Sequence, residues 1–346
     1  MNLNLLITEF PSVKVFIQFW LLDTLITVAH QPQIIPSLPL ADSKCIITPK
    51  SDLYTLKLST KCSQFSEKLV TKSILSITRA NKNSAVLYIC AIAFKLSPSW
   101  GKSAIDIANQ IAEHFAHLSN QDLAVDPKKY FTLKVIPPGW LHLQPTDLGI
   151  ATWLQSLAGQ GRWGAGGQGS RGAGEQGGRG AGGQGGRRQK AEEKVKIPLV
   201  PPSPSIPSTQ SLFSVQYVHA RCCSLLRLAK SDGKWGAIAP DAIPWLNEIG
   251  QLRLTHPAER NLISQLFSAL DALYYPELSK NQNWEKLAQE ITLSWEDFYR
   301  KCRIWGEVKT ETPELAQARL GLLMATQTML RLLLEDYLGI SAPLEL

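Results

Sequence analysis

Residues 164–187 consist of three consecutive eight-residue repeats, GAGGQGSR, GAGEQGGR and GAGGQGGR. No unit contains an apolar side chain larger than alanine, so the array cannot contribute to a packed core. Five prolines follow between Pro198 and Pro207, and proline favours an extended polyproline II conformation. The sequence therefore predicts a long, disordered Gly- and Pro-rich linker over residues 159–208, which divides the chain into two folded parts.

The same array matches the glycine pattern of dinucleotide-binding loops, G-x-G-x-x-G, three times. Such a loop holds a pyrophosphate only where a strand leads into it and a helix begins directly after it, because amide groups at the helix N-terminus contact the phosphates. The flanks do not supply a strand before the array and a helix directly after it. We therefore predict no nucleotide site here, and we expect the protein to need no cofactor.

Charge is spread unevenly over the chain. Of the net formal charge of +7, residues 1–158 carry +4, the linker carries +5 and residues 209–346 carry −2. The basic excess points to a polyanionic partner such as nucleic acid. The six cysteines show neither zinc-site spacing nor a disulfide framework, so we expect no metal site, and reduced thiols in a cytoplasmic protein.

The apolar stretch VFIQFWLLDTLITVA, residues 15–29, resembles a membrane segment at first sight. It is shorter than the roughly 20 residues that span a bilayer, and the charge of Asp23 near its middle would be costly in lipid. No small-residue cleavage site follows, so a signal peptide is not indicated. The pattern favours a buried first helix and no membrane partner.

Residues 1–158 are predicted to form a small α+β domain. Ser103 and Asp106 have the spacing of a capping box and open an amphipathic helix that carries apolar residues at helical intervals. The segment KYFTLKVIPPGWLHLQ alternates apolar and polar residues on both sides of a Pro-Pro-Gly turn, which predicts two short strands. Within residues 31–84 we make no prediction beyond strands near residues 54–58.

Residues 209–346 are predicted to form an all-α helical bundle. The first helix carries one apolar stripe, a second begins at Pro257, and a third places aromatic and aliphatic residues on one face. Thr312 and Pro313 are typical of a helix start, whereas Gly339 and Pro343 end the last helix. The stripe of the first helix comprises Val215, Val218, Cys222, Leu225 and Ala229.

Three segments of this bundle resemble the DALR anticodon-binding domain of arginyl-tRNA synthetase. They are VQYVHARCCSLLRLA from residue 215, FYRKC from residue 298, and ARLGLLMATQTMLRLLLEDYLGISAP from residue 318. The first part of the chain is also similar to that synthetase family, because LYICAIAFKLSPSWGKSAIDIANQIAEHF and PPGWLHLQPTDLGIATWLQSLA resemble its N-terminal domain. The resemblance covers roughly residues 84–158 and 212–346.

The family carries a nucleotide-binding catalytic domain between these two parts, whereas this chain carries only the linker. A doubly wound catalytic domain needs well over a hundred residues of strand and helix pattern, which Gly, Pro and charge cannot supply. The segment HFAH, residues 114–117, lacks the glycine of the family's histidine signature and lies within a predicted helix. The resemblance thus implies the tRNA-recognition parts of a synthetase without its catalytic residues, and not an enzyme.

In the bundle, the resemblance implies that Tyr217, Arg221, Arg227, Tyr299 and Arg303 contact RNA. Single-stranded bases are held by aromatic or guanidinium stacking, and phosphates by Lys and Arg. Two of these residues, Tyr217 and Arg221, are four positions apart and so share a helix face. The alternative is that this pair only packs against neighbouring helices. The family often ends in a methionine near the anticodon, whereas this chain ends in Leu346.

In the N-terminal domain, the resemblance implies contact with the outer corner of the tRNA. The candidates are Trp140, His142 and Gln144 on the second strand, and ordinary strand positions are the alternative. The sequence therefore favours a non-catalytic protein that binds tRNA, the arginine-specific one by resemblance. Two alternatives remain: a protein-interaction module that docks on a full-length aminoacyl-tRNA synthetase, and a component of arginyl-tRNA aminoacylation that acts with a separate catalytic subunit.

Overall fold

The computed structural model describes residues 12–29, 77–80, 86–117, 126–159, 209–232, 243–273 and 282–346. The linker predicted over residues 159–208 lies outside the described residues apart from Gly159. The strand predicted near residues 54–58 lies outside them as well.

Within its described residues, the N-terminal part combines four α-helices with a four-stranded sheet. Its elements in chain order are α1 (Val13–Ala29), β1 (Ile77–Arg79), β2 (Tyr88–Cys90), α2 (Ile92–Trp100), α3 (Ala104–His117), β3 (Phe131–Ile136), β4 (Trp140–Pro145) and α4 (Asp147–Gly159). One of the two bonds of the predicted capping box is present, since the Ser103 hydroxyl accepts a hydrogen bond from the Asp106 amide at 3.2 Å. The Asp106 carboxylate accepts from the Ser103 hydroxyl and not from its backbone amide. The predicted α+β character of this part is confirmed.

The sheet has the strand order β1-β2-β4-β3, and each neighbouring pair is antiparallel. Strands β3 and β4 form the predicted hairpin, in which Phe131 pairs with Pro145 and Ile136 pairs with Trp140. Gly139 closes the turn at φ 146°, where a Cβ atom would come within 2.8 Å of Ala104. A glycine is therefore required at this turn both by its backbone conformation and by its contact with α3.

One face of the sheet is covered by helices, and helix α1 lies in this core. Phe16 and Trp20 of α1 contact Phe131 of β3 with ring centroids 5.7 and 5.2 Å apart. Trp153 of α4 is fully buried beside Phe16. The prediction of a buried first helix is confirmed. Spanning a bilayer would take a longer and more uniformly apolar helix than any found among the described residues.

The C-terminal part is a helical bundle. Its helices are α5 (Thr209–Ser231), α6 (Pro257–Leu273), α7 (Trp284–Lys301), the short α8 (Glu307–Glu311) and α9 (Pro313–Leu332), followed by a π-helical turn (Leu333–Tyr337). The predicted stripe of α5 is buried along its whole length, with each side chain at most 6% exposed: Val215, Val218, Cys222, Leu225 and Ala229. The periodic pattern of this helix therefore identified its core face correctly.

Thr312 does not cap helix α9 with its side chain, in contrast to the sequence prediction. Its hydroxyl donates to the Val308 carbonyl at 3.3 Å instead. The reason is that the short helix α8 ends directly before this residue, so the hydroxyl satisfies a carbonyl of the preceding turn. Pro313 does occupy the first turn of α9, as predicted.

The two parts pack directly against each other at a contact that we call the junction, formed mainly by α4 against α9. The Trp245 indole N–H donates to the Gln155 side-chain oxygen at 2.8 Å. The Asp147 carboxylate accepts from the Leu252 amide at 3.1 Å. Trp245 lies so close to Gly321 of α9 that a Cβ atom there would come within 2.7 Å of the indole ring. The buried residues of both parts form one continuous cluster.

A buried carboxyl group marks a second contact of the junction. Asp271 of α6 accepts a hydrogen bond from the Tyr88 hydroxyl at 2.7 Å and one from the Lys14 amide at 3.4 Å. Burial raises the pKa of Asp271 above its ordinary value, and the nearby Arg79 guanidinium partly opposes this shift. The first helix and the sheet are thus joined to the bundle through one polar centre.

Candidate nucleic-acid interface

Helix α5 presents a row of large side chains on the side away from its buried stripe. Phe213, Tyr217 and Arg221 follow each other at intervals of four residues and are all exposed. Phe213 is 57% exposed and Tyr217 is 49% exposed. Because residues four apart lie on one helix face, the row offers two aromatic rings and a guanidinium to a ligand. We call these three residues the α5 row.

Arg221 is also the outer end of a stack that reaches into the bundle core. Its Nη2 lies 3.3 Å from the Tyr299 hydroxyl, and its Cζ lies 5.8 Å from the centroid of that ring. Tyr299 in turn stacks on buried Trp295, with centroids 5.0 Å apart and ring planes within 4° of parallel. The structure therefore brings together Arg221 and Tyr299, two of the sequence-predicted site residues.

The stack holds the guanidinium near the aromatic face that attracts it. Arg221 bridges α5 and α7, as the packing alternative requires, while its exposed edge stays available to a ligand. Tyr217 lies one turn away and is exposed. Phe213 was not among the predicted residues, although an aromatic side chain outside the apolar stripe of an amphipathic helix is a detectable signal.

Arg227 is engaged with the last residues of the chain. Its guanidinium donates to the Leu344 carbonyl at 3.3 Å and lies 2.9 Å from the Glu345 carboxylate. Its side chain remains 47% exposed. A phosphate that approaches Arg227 would therefore compete with the Glu345 carboxylate for the guanidinium. At Arg221 the recorded partner is the uncharged Tyr299 hydroxyl. Arg303, the remaining bundle candidate, is exposed after the end of α7.

The predicted residues of the N-terminal part lie on one face of the sheet. Trp140, His142 and Gln144 alternate along β4 with the buried residues Leu141 and Leu143. They therefore point away from the helix-covered core. The strand register places Ile136, Lys134 and Thr132 of β3 directly across from them.

This sheet face combines an aromatic ring with polar and basic groups. Trp140 is 39% exposed, and its ring lies 4.9 Å from that of Phe94. Exposed Lys134 pairs across the strands with half-buried His142. A sheet face with an aromatic platform and nearby cations is one of the ways in which proteins hold unstacked RNA bases.

His219, on the opposite side of α5 from the α5 row, fixes the C-terminal segment. Its Nδ1 lies 2.9 Å from the Pro343 carbonyl and its Nε2 lies 3.0 Å from the Gln327 side-chain nitrogen. A carbonyl can only accept, so Nδ1 carries the proton and Nε2 accepts from Gln327. Burial lowers the pKa of His219, so its neutral form is favoured in the folded protein.

We expect the free energy of unfolding to decrease as the pH falls below about 6.5, the ordinary pKa of histidine. The unfolded chain takes up a proton at that pH, whereas folded His219 resists protonation until a lower pH, so acidification favours the unfolded state. Urea titrations of the protein and of His219→Gln between pH 5 and 8 would measure this difference. If the free energy of unfolding had the same pH dependence in both proteins, His219 would not be the residue that resists protonation.

The described cysteines are poorly suited to nucleophilic chemistry. Cys90, Cys222, Cys223 and Cys302 are buried free thiols. Burial raises the pKa of Cys90 to about 11 and that of Cys302 to about 12, which disfavours the reactive thiolate. Among the described residues, no group of three His, Cys, Asp or Glu side chains is arranged to hold a metal ion.

Residues 215–346 match the family model of the DALR anticodon binding domain. Among curated proteins, an arginine–tRNA ligase of Synechococcus sp. (strain JA-3-3Ab) is 36% identical over 130 residues, or 37% of this chain and 21% of that protein. An arginine–tRNA ligase of Moorella thermoacetica is 34% identical over 133 residues, or 38% and 22% of the two chains. An arginine–tRNA ligase of Pelodictyon phaeoclathratiforme is 37% identical over 139 residues, or 38% of this chain and 22% of that protein.

The chain therefore spans about a fifth of the length of the curated relatives it matches. The matches confirm the resemblance of the C-terminal part to a DALR domain and to arginine–tRNA ligases. No solved structure matches the chain. The resemblance of residues 84–158 to the N-terminal domain of the synthetase stays a prediction.

Proposed function

We propose that the protein is a non-catalytic tRNA-binding protein, which holds tRNA through its DALR bundle and through the outer face of its N-terminal sheet. A DALR anticodon-binding domain supports a role in tRNA recognition. The arginine–tRNA ligases among the relatives favour an arginine-specific tRNA as the partner. We place this activity in the cytoplasm and assign it no cofactor.

The observation that carries the proposal is the α5 row together with the stack beneath its last residue. Two exposed rings and one stacked guanidinium follow a single edge of helix α5. Tyr217 and Arg221 lie within the matched domain, and Phe213 lies two residues before it. Splayed bases of an anticodon loop need such stacking partners, and a nearby phosphate needs a cation. Tyr217 is assigned to a base and Arg221 to a phosphate.

The non-catalytic character of the proposal rests on the sequence between the two parts. That segment is rich in Gly, Pro and charge and has no pattern of a nucleotide-binding domain. A specific alternative is a component of arginyl-tRNA aminoacylation that acts with a separate catalytic subunit. This alternative is favoured because the chain covers only about a fifth of the length of each ligase, so that a separate subunit would supply the rest.

The first test replaces Tyr217 by alanine. We expect tRNA binding to weaken by about 1 to 3 kcal/mol, which is the usual contribution of one base stacked on an aromatic ring. Arg221→Ala should lower the affinity for all tRNAs and reduce the slope of log K against log salt by roughly one unit, because one phosphate contact is lost. Fluorescence anisotropy with labelled tRNA at several salt concentrations measures both quantities.

The matched control variants are Tyr337→Ala and Lys286→Ala, which remove an exposed ring and an exposed cation at other places on the bundle. Both should bind tRNA with unchanged affinity. Each variant must keep the wild-type melting temperature, because an unfolded bundle would lose binding trivially. Folded Tyr217→Ala and Arg221→Ala variants that bind tRNA normally would overturn the assignment and favour docking on a protein partner.

A further inference from the structure

The chain that follows helix α7 is fixed on both sides of one exposed cation, Arg303. The helix ends where the Cys302 amide donates to the Phe298 carbonyl at 2.8 Å, and Arg303 is the next residue. Its neighbours Cys302 and Ile304 are only 1% and 2% exposed, whereas Arg303 is exposed. Two buried side chains therefore hold the backbone from which the Arg303 guanidinium extends.

A second arginine holds the same backbone from inside the bundle. Arg319 of α9 donates from Nη1 to the Arg303 carbonyl at 2.6 Å and from Nε to Oε1 of Glu259 at 2.6 Å. The other carboxylate oxygen of Glu259 accepts from the His256 amide, at the start of α6, at 2.8 Å. One buried ion pair thus joins α6, α9 and the residue after α7.

Stability alone does not account for this ion pair. A buried pair of charges often stabilises a fold no more than well-packed apolar residues of the same volume would. What apolar residues cannot do is hold a carbonyl in a set direction. The guanidinium of Arg319 is a rigid, planar fork of N–H donors, and it serves Glu259 and the Arg303 carbonyl at the same time. The pair therefore fixes the orientation of the Arg303 backbone.

Arg303 also differs from the cations beside it in having an unneutralised charge. Arg300 and Lys301 both pair with Asp297, at 3.2 and 2.9 Å, whereas Arg303 forms no ion pair with any residue that the structure describes. Four residues before it lies Tyr299, the ring that receives the last residue of the α5 row. Arg303 is thus a cation at the same end of α7 as the α5 row, and its charge is open to a phosphate.

We propose that Arg319, held by Glu259, is a positioning residue for tRNA binding, which directs the Arg303 guanidinium to a phosphate of the bound RNA by fixing the Arg303 carbonyl. This inference rests on the proposed function. It adds that two residues inside the bundle set part of the affinity without contacting RNA, since the Arg319 and Glu259 side chains are 11% and 1% exposed.

The test replaces Arg319 by lysine. The ammonium group keeps a cation beside Glu259, but it lacks the fork that reaches the carboxylate and the Arg303 carbonyl together. We expect Arg319→Lys to bind tRNA about 3- to 10-fold more weakly and to reduce the slope of log K against log salt by up to roughly one unit. Because the substitution leaves the net charge unchanged, a smaller slope reports a lost phosphate contact rather than a lost charge.

A double-mutant cycle shows whether Arg319 acts through Arg303. Arg303→Ala should weaken tRNA binding by a similar factor, and adding Arg319→Lys to it should change the affinity by less than about twofold, because the shared contact is already lost. Tyr217→Ala shares no partner with Arg319, so its effect should add in full to that of Arg319→Lys. Arg300→Ala is the matched control, since it removes a cation that Asp297 already neutralises, and it should keep the affinity and the salt slope.

The cycle does not depend on the folding of one variant. If Arg319→Lys does not keep a cooperative thermal transition, the double variant Glu259→Gln, Arg319→Met takes its place, because it removes both buried charges together and also lacks the donor to the Arg303 carbonyl. The same non-additivity with Arg303→Ala is expected. All titrations use labelled tRNA and the full chain at several salt concentrations.

Three results would overturn the positioning role. They are wild-type tRNA affinity and salt slope in the folded Arg319 variant, wild-type affinity in Arg303→Ala, and an effect of the Arg319 variant that persists in full when Arg303 is already alanine. A failure of the proposed function looks different, because then the wild-type protein binds no tRNA, or Tyr217→Ala and Arg221→Ala bind it normally. If the wild type binds no tRNA, the positioning role is overturned with it.

Discussion

Replacing Arg319 by alanine is expected to lower the free energy of unfolding by about 3 to 5 kcal/mol, because it leaves the buried Glu259 carboxylate without its cationic partner. Arg319 on α9 donates from Nε to the Glu259 carboxylate at 2.6 Å and from Nη1 to the Arg303 carbonyl at 2.6 Å. The two side chains are 11% and 1% exposed. Urea unfolding followed by circular dichroism measures the loss.

The matched control is Arg300→Ala, whose side chain is 73% exposed and pairs with Asp297 on the same helix. An exposed pair of this kind contributes about 0 to 1 kcal/mol, so this variant should be nearly as stable as the wild type. The double variant Glu259→Gln, Arg319→Met should recover much of the loss, because it removes both charges together. Equal stability of Arg319→Ala and Arg300→Ala would contradict the assigned role of the buried pair.

Replacing Trp245 by alanine is expected to cost about 3 to 5 kcal/mol and to loosen the junction. Trp245 is 4% exposed and fills the space above Gly321 of α9. Its indole N–H also bonds to Gln155 of α4. The substitution therefore leaves a cavity between the two parts and removes the hydrogen bond to Gln155. Chemical denaturation gives the free energy, and hydrogen exchange of α4 reports whether this helix opens more readily.

Trp140→Ala serves as the control for Trp245→Ala. Trp140 is 39% exposed on the sheet face, so its removal should cost about 1 kcal/mol or less and leave the exchange of α4 unchanged. The two tryptophans are thus predicted to differ several-fold in their effect on stability. Similar losses for both would show that the junction does not depend on Trp245.

Local pattern was sufficient to predict most of the elements within each part. The buried stripe of α5 from Val215 to Ala229 follows from helical periodicity, and the β3–β4 hairpin follows from alternation around Pro-Pro-Gly. The bond from the Asp106 amide to the Ser103 hydroxyl follows from a spacing of three residues. In each case the interactions that decide the structure lie within a few residues of one another in the sequence.

The junction could not be predicted in this way. Asp147 and Leu252 are 105 residues apart, and no periodicity relates Trp245 to Gly321. The surroundings of the predicted site residues depend on distant segments as well. Arg227 meets Leu344, 117 residues later, and Arg221 meets Tyr299, 78 residues later. Spacing along a helix showed which side chains are exposed, but the partner of each exposed cation depends on how the helices are arranged.

The junction also has a consequence for biosynthesis. Lys14 near the start of the chain hydrogen-bonds to Asp271, which is 257 residues later. At about 5 to 20 residues per second, a ribosome takes roughly 10 to 50 s to make the intervening chain. During this interval the N-terminal part emerges with the surface that will contact the bundle still exposed to water. Nascent chains are therefore expected to be captured by chaperones at this stage, and ribosomes stalled before α6 should yield products that are sensitive to protease.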